Sequence, residues 1–92
     1  MRNGKIVDRD GNQFWYKNDA LHREDGPAVI FSNGTKHWYK NGALHREDGP
    51  TIIWGDGGKS WYLNGEYFTK EKWWEGLTPD QKEKALFNGE GL

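Results

Sequence analysis

The string His-Arg-Glu-Asp occurs twice, at His22-Arg23-Glu24-Asp25 and at His45-Arg46-Glu47-Asp48, and holds every side chain that a hydrolytic site requires. An imidazole near pH 7 beside carboxylates can relay a proton. The same groups could ligate a divalent metal, but that needs at least three donors converging on one point. Neighbouring residues on an extended chain point apart, so the order alone brings nothing together. Duplication argues further. A catalytic centre is needed once, whereas a stacking interaction is needed in every unit of an array. The string therefore reads first as a repeated network. In that network Asp caps the Gly-Pro turn, Arg pairs with a carboxylate of the next unit, and His bonds the main chain. The second reading is contact with a partner or ligand, in which Trp15, Trp38, Arg23, Arg46, His22 and His45 are the candidate binding residues, since aromatic and Arg side chains are the usual interface anchors. No catalytic residue is assigned and no metal or cofactor is implied. The sequence has no phosphate loop, CxxC or HExxH, and no Ser or Cys nucleophile pattern.

What must position these residues is a repeat. Ala20–Pro27 recurs as Ala43–Pro50, an offset of 23 residues. From Trp15 to Pro27, twelve of thirteen positions match those from Trp38 to Pro50, the exception being Asp19 opposite Gly42. The same offset links Asp10-Gly11, Asn33-Gly34 and Asp56-Gly57, and Trp15-Tyr16, Trp38-Tyr39 and Trp61-Tyr62. It also aligns Ile6-Val7 with Val29-Ile30 and Ile52-Ile53. About three units therefore run over residues 5–68.

Each unit reads as a β-hairpin. Val29-Ile30-Phe31 and Thr35–Tyr39 flank Asn33-Gly34, and Asn-Gly or Asp-Gly between such runs predicts a type I′ turn with positive φ at both central residues. The Tyr-x-Asn-Gly step is expected to begin a longer connection ending at Gly26-Pro27 or Gly49-Pro50. Pro belongs at a strand start. Three hairpins in series give an antiparallel meander of about six strands. Alternation puts Trp15, Trp38 and Trp61 on one face and Tyr16, Tyr39 and Tyr62 on the other.

In the third unit Lys70-Glu71-Lys72-Trp73 replaces Glu-Asp-Gly-Pro, and helical signals begin. Thr69 is a candidate N-cap for a helix from Lys70 to about Glu75, stopping at Gly76. Thr78-Pro79-Asp80-Gln81 combines a Thr cap, Pro at the first helical position and a capping box, for a helix to about Asn88 with Gly89 as its C-cap. The expected fold is thus mainly β, an antiparallel hairpin meander (5–68) closed by two short helices (69–92), in one domain spanning 1–92.

Composition narrows the function. The chain has 92 residues and a net charge of −1, which gives no electrostatic footprint for nucleic acid or an anionic membrane. Six Trp, four Tyr and four Phe supply the apolar area that few aliphatic residues provide. There is no Cys, which suits a reducing cytoplasm, and no apolar run approaches transmembrane length.

The units resemble the MORN (membrane occupation and recognition nexus) repeat. The shared elements are the aromatic before Asn-Gly in Trp38-Tyr39-Lys40-Asn41-Gly42, the following His45, and the Asp/Asn-Gly turn. The full string Trp-Tyr-x-Asn-Gly-x-Leu-His-Arg-Glu-Asp-Gly-Pro is similar to repeats in small proteins of tailed phages and giant viruses. It departs from ordinary MORN units at Arg-Glu-Asp-Gly-Pro and at Asn18-Asp19. The resemblance covers residues 5–68 and implies a scaffold for contacts rather than a reaction. The expectation is a cytoplasmic, non-enzymatic module that binds a protein, phage-encoded and modulating or inhibiting a host defence protein in the host cytoplasm. The alternative is a protein that sequesters a small molecule such as a signalling nucleotide, between repeats or across a homo-oligomer. Neither nucleic acid nor membrane is an expected partner.

Overall fold

The computed structural model describes residues 2–90. Ten short strands precede two helices: β1 Gly4–Val7, β2 Gln13–Lys17, β3 Ala20–Leu21, β4 Val29–Ile30, β5 Lys36–His37, β6 Tyr39–Lys40, β7 Ala43–Leu44, β8 Ile52–Ile53, β9 Lys59–Leu63, β10 Glu66–Phe68, α1 Lys70–Glu75 and α2 Pro79–Phe87. All pairings are antiparallel, and the main sheet runs β1-β2-β4-β5-β8-β9-β10, with β3 also on β2 and with β6 and β7 forming a pair of their own. The expected meander and helical closure are both present.

The strand count exceeds six because the long strand of the second unit is split at Trp38 into β5 and β6 and because each unit carries a third, short strand. The long strand pairs with it through a two-residue turn, as in Lys17↔Ala20, Lys40↔Ala43 and Leu63↔Glu66. Those turns have positive φ at both central residues: Asn18 and Asp19 (+52°, +66°), Asn41 and Gly42 (+51°, +83°), Asn64 and Gly65 (+52°, +80°). The type I′ geometry thus lies at the Tyr-x-Asn-Gly steps, where a longer connection was expected.

The turns at Asp10-Gly11, Asn33-Gly34 and Asp56-Gly57 are correspondingly of another kind. Only their Gly has positive φ, at +85°, +92° and +95°. Gly11, Gly34 and Gly57 donate to Asp8, Phe31 and Trp54, and those three residues donate to Asn12, Thr35 and Gly58. That is a three-residue loop, a type I turn closed by a left-handed Gly. The reason is spacing: strands whose ends bond four positions apart, as Asp8 and Asn12 do, need one residue more than a type I′ turn supplies.

The repeated polar string is an excursion from a strand. Both β3 and β4 lie antiparallel to β2, at Tyr16↔Leu21 and Phe14↔Val29. They are two segments of one line, and residues 22–28 leave it opposite Trp15. The gap is closed by His22 N–H to Trp15 O (3.0 Å) and Trp15 N–H to Ala28 O (2.8 Å). The second unit repeats this with His45 to Trp38 (3.1 Å) and Trp38 to Thr51 (2.9 Å).

The buried apolar side chains fall in two places. Ala28, Val29 and Ile52 lie at the sheet centre, where the Thr51 hydroxyl donates to Tyr62 O (3.0 Å) and accepts from Tyr62 N–H (2.8 Å). Trp73, Leu77 and Ala85 of the helical segment form the second cluster, against Trp61, Leu63, Phe68 and Trp74. Thr69 and Thr78 are the N-caps and Gln81 completes the capping box, as the sequence predicts. Among the described residues no helix is long and apolar enough to cross a membrane.

Candidate functional site

Each His-Arg-Glu-Asp-Gly-Pro excursion folds back over its own Trp. The Arg23 guanidinium lies 3.9 Å from the Trp15 ring centroid, and Arg46 lies 3.9 Å from that of Trp38. The planar group suits stacking, and its fork of donors fixes the turn from above. Arg23 Nε donates to Asp25 (3.1 Å) and Nη1 to Pro27 O (3.1 Å). Arg46 Nε donates to Asp48 (2.8 Å) and Nη1 to Pro50 O (3.0 Å). The Arg therefore pairs with the Asp of its own unit, not with a carboxylate of the next. A two-residue separation on a tight turn puts the carboxylate within reach, while the next unit lies two strand spacings away. Asp25 and Asp48 act by holding the guanidinium rather than by capping the turn.

The His residues do bond main chain, and they do so across the unit boundary. His22 Nδ1 accepts from Asn41 N–H (2.9 Å), and His45 Nδ1 accepts from Asn64 N–H (2.9 Å). An accepting Nδ1 puts the neutral ring's proton on Nε2. That atom faces Glu24 at 2.6 Å in the first unit and Glu47 at 3.2 Å in the second. The hydrogen bond from His22, followed by the nearby charge of Lys40, holds the Glu24 carboxyl below its usual pKa. At the N-terminal end Asn3 Oδ1 accepts from Asn18 N–H (2.9 Å), taking the part of the His Nδ1. No sequence signal marks Asn3, because it stands 15 residues before its donor, whereas each His stands 19 before its own.

The two excursions and α2 enclose a cleft of about 280 Å³. Arg23, Trp38, His45 and Arg46 line it, whereas Trp15 and His22 do not. Its charged lining is balanced: Arg23, Lys40, Arg46 and Lys84 against Glu24, Asp25, Glu47 and Asp48. Lys84 and Gln81 reach it from α2, which Asn88 fastens to Asp48 O at 2.9 Å. No cluster of three His, Cys, Asp or Glu suited to a metal exists among the described residues.

Among the described residues the helices and excursions pack on one face of the sheet; on the other, open face Val29 and Ile52 are buried and Phe14, Tyr16, His37, Tyr39 and Tyr62 half-buried. Trp61 is covered by Trp73 of α1, whose ring is tilted by 45° at a centroid distance of 6.3 Å, and Trp15 and Trp38 are roofed by the Arg side chains. The helical cluster is built on Trp61, Leu63 and Phe68, all on this Trp face. The opposite face carries Phe14, Tyr16, His37, Tyr39, Tyr62 and Tyr67, by the strand registers. Its centre is an aromatic cluster that sequence reasoning missed. Phe31 meets His37 edge-on at 5.1 Å, Trp54 meets it at 6.0 Å, and Tyr39 lies at 6.2 Å. Burial lowers the His37 pKa and raises that of Tyr39. Trp54 and Tyr67 remain 45% and 60% exposed. The available signal was Phe31 and Trp54, 23 residues apart and each just before a turn.

Comparison with protein-family models, with curated proteins and with solved structures finds no match to this chain.

Proposed function

We propose that this chain is a non-enzymatic repeat module that binds a protein through the open, aromatic face of its sheet. The observation that carries this reading is the asymmetry of the faces: turns and helices pack on the Trp row, while the opposite face leaves Trp54 and Tyr67 exposed beside the half-buried Phe14, Tyr39 and Tyr62. Tyr and Trp offer large rigid contact areas at little entropic cost, as interface anchors do. In the repeated string the His and Arg side chains are already engaged, His22 and His45 with main-chain N–H groups and Arg23 and Arg46 with Asp carboxylates and Pro carbonyls. The Trp15 and Trp38 row, with Arg23, Arg46, His22 and His45, then serves the binding surface by shaping the sheet from behind. Following the similarity of its repeat to those of small phage proteins, the partner is a host protein that the chain modulates or inhibits in the host cytoplasm.

The cleft favours a second reading, a small-molecule ligand held by Arg23, Arg46 and Lys84. Its balanced charges give a polyphosphate little net attraction, so protein binding ranks first. Affinity capture from bacterial lysate, paired with native mass spectrometry, separates the two. A protein captured by the wild type and lost in folded Trp54→Ser and Tyr67→Ser variants supports the open face. A small molecule retained by the wild type and lost in Lys84→Glu moves the site to the cleft.

A further inference from the structure

The N-terminal strand occupies a repeat position whose inner copies are covered. Val29 and Ile52 are 3% and 5% exposed, while their counterpart Ile6 is 41% exposed. The difference is a missing neighbour. Strand β4 is flanked by β2 and β5, and β8 by β5 and β9, but among the described residues β1 pairs only with β2 and is exposed along its length. In the inner units the position equivalent to Lys5 turns its carbonyl towards the preceding unit: Ala28 O accepts from Trp15 N–H, and Thr51 O from Trp38 N–H. Alternation then directs the main chain of both Lys5 and Val7 outward and that of Ile6 towards β2.

We infer that a second copy of this chain pairs along β1, antiparallel about a two-fold axis, with Ile6 opposite its own counterpart. This register is selected by the residues. Outward groups must meet outward groups, so Lys5 faces Val7 of the other copy, twice. Centring on Lys5 would oppose two ammonium groups, and centring on Val7 would set Ile6 against Asp8. The Ile6-centred pairing continues the internal one, in which Val29 faces Phe14 and Ile52 faces His37. It also joins the open faces of two sheets into one. At the other end of the sheet the edge is the shorter β10, whose three residues pair with β9 alone among the described residues. Strands β2 and β5 pair with the next unit's strand, but against β9 the chain places α1, anchored by the buried Trp73. Association is therefore isologous and closed, a dimer rather than a fibre. Four residues of edge make a weak one.

Sedimentation equilibrium of the full chain from about 10 μM to 1 mM, with residue-resolved amide exchange, is the test. The expected result is a monomer–dimer equilibrium in which the Lys5 and Val7 amides become protected as concentration rises while Ile6 does not change. Val7→Pro removes an outward N–H and leaves the bonds to β2 intact, so dimerisation should weaken by roughly tenfold or more. A monomer throughout the range overturns the inference. So does a dimer whose concentration-dependent protection lies on α2 or the Tyr face instead of β1. The amide exchange decides the matter on the wild type even if Val7→Pro does not fold.

Discussion

A single nitrogen, Nδ1 of His22, ties the first unit to the second by accepting the Asn41 N–H. His22→Ala leaves that donor unsatisfied in a half-buried site and should cost about 1–3 kcal/mol in chemical denaturation. His22→Asn should cost clearly less, because an Asn Oδ1 lies where the Nδ1 does, and Asn3 already makes this bond to Asn18. Equal losses for the two variants would mean that ring packing or the Glu24 contact, not the Nδ1 bond, carries the effect. His37 contributes with the opposite sense. Burial among Phe31, Tyr39 and Trp54 lowers its pKa below the ordinary 6.5, and its Nε2 has no partner among the described residues. The unfolded chain then takes up this proton first, so the stabilisation is full above about pH 6.5 and is lost as pH falls through the lower folded value. His37→Phe, which installs the side chain of Phe14 at the same repeat position, should flatten the stability profile below pH 6.5. Thermal melts at stepped pH measure it. The polar string's repetition made its structural role legible. Its partners were not: which carboxylate an Arg reaches depends on how the turn closes, and no spacing along the chain records that.

At the scale of the elements, the two turn classes differ in what they tolerate. Gly65 sits at φ +80° with only Ala43 Cβ at 3.8 Å from an added methyl, so Gly65→Ala should cost about 1 kcal/mol for backbone conformation alone. Gly49 has no positive φ, yet a Cβ there would stand 2.6 Å from Arg46 Cζ. Gly49→Ala must push the guanidinium off Trp38 and should cost about 2 kcal/mol or more. Urea denaturation of both variants ranks them, and the reverse order would show that the Arg roof yields freely. The steps at Asp10-Gly11, Asn33-Gly34 and Asp56-Gly57 marked turns correctly in place but not in type, and the tight turns at Asn18-Asp19, Asn41-Gly42 and Asn64-Gly65 were read as the start of a longer connection. Type follows from how many residues separate the last paired positions, which only the register reveals. Links between turns were hidden for a related reason: Asn12 Oδ1 accepts from Ser32 N–H and Thr35 Oγ1 from Gly55 N–H, one bond made by two residue types. The helix caps, by contrast, are local signals, and Thr69, Thr78 and Gln81 were readable directly.

Across the whole molecule, the helical segment is joined to the repeats at few points. Trp73 is fully buried on Trp61, and its Nε1 donates to Arg46 O at 2.8 Å, reaching past the third unit into the second. Trp73→Ala should cost about 3–5 kcal/mol. Its effect should spread through both helices and β9–β10 in amide exchange, with β1–β2 least affected, since a repeat array couples neighbours only. Uniform loosening would indicate a single cooperative unit. The meander, the period and the closing helices were all legible in the sequence. The open face was not, because covering one side depends on where the excursions fold, and nothing in the strand pattern says to which side. The hydrogen bonds that cross the unit boundaries have a further consequence. Gly42 N–H to Leu21 O and Gly65 N–H to Leu44 O are both 2.8 Å, and Arg23 N–H to Tyr39 O and Arg46 N–H to Tyr62 O are both 3.4 Å. Successive joints are thus interchangeable. A gene duplication that copied residues 28–50 in frame would present, at each new junction, the surface the junction already accepts. The protein could grow by one rung without inventing a contact, and its length is a variable that evolution can set separately from its fold.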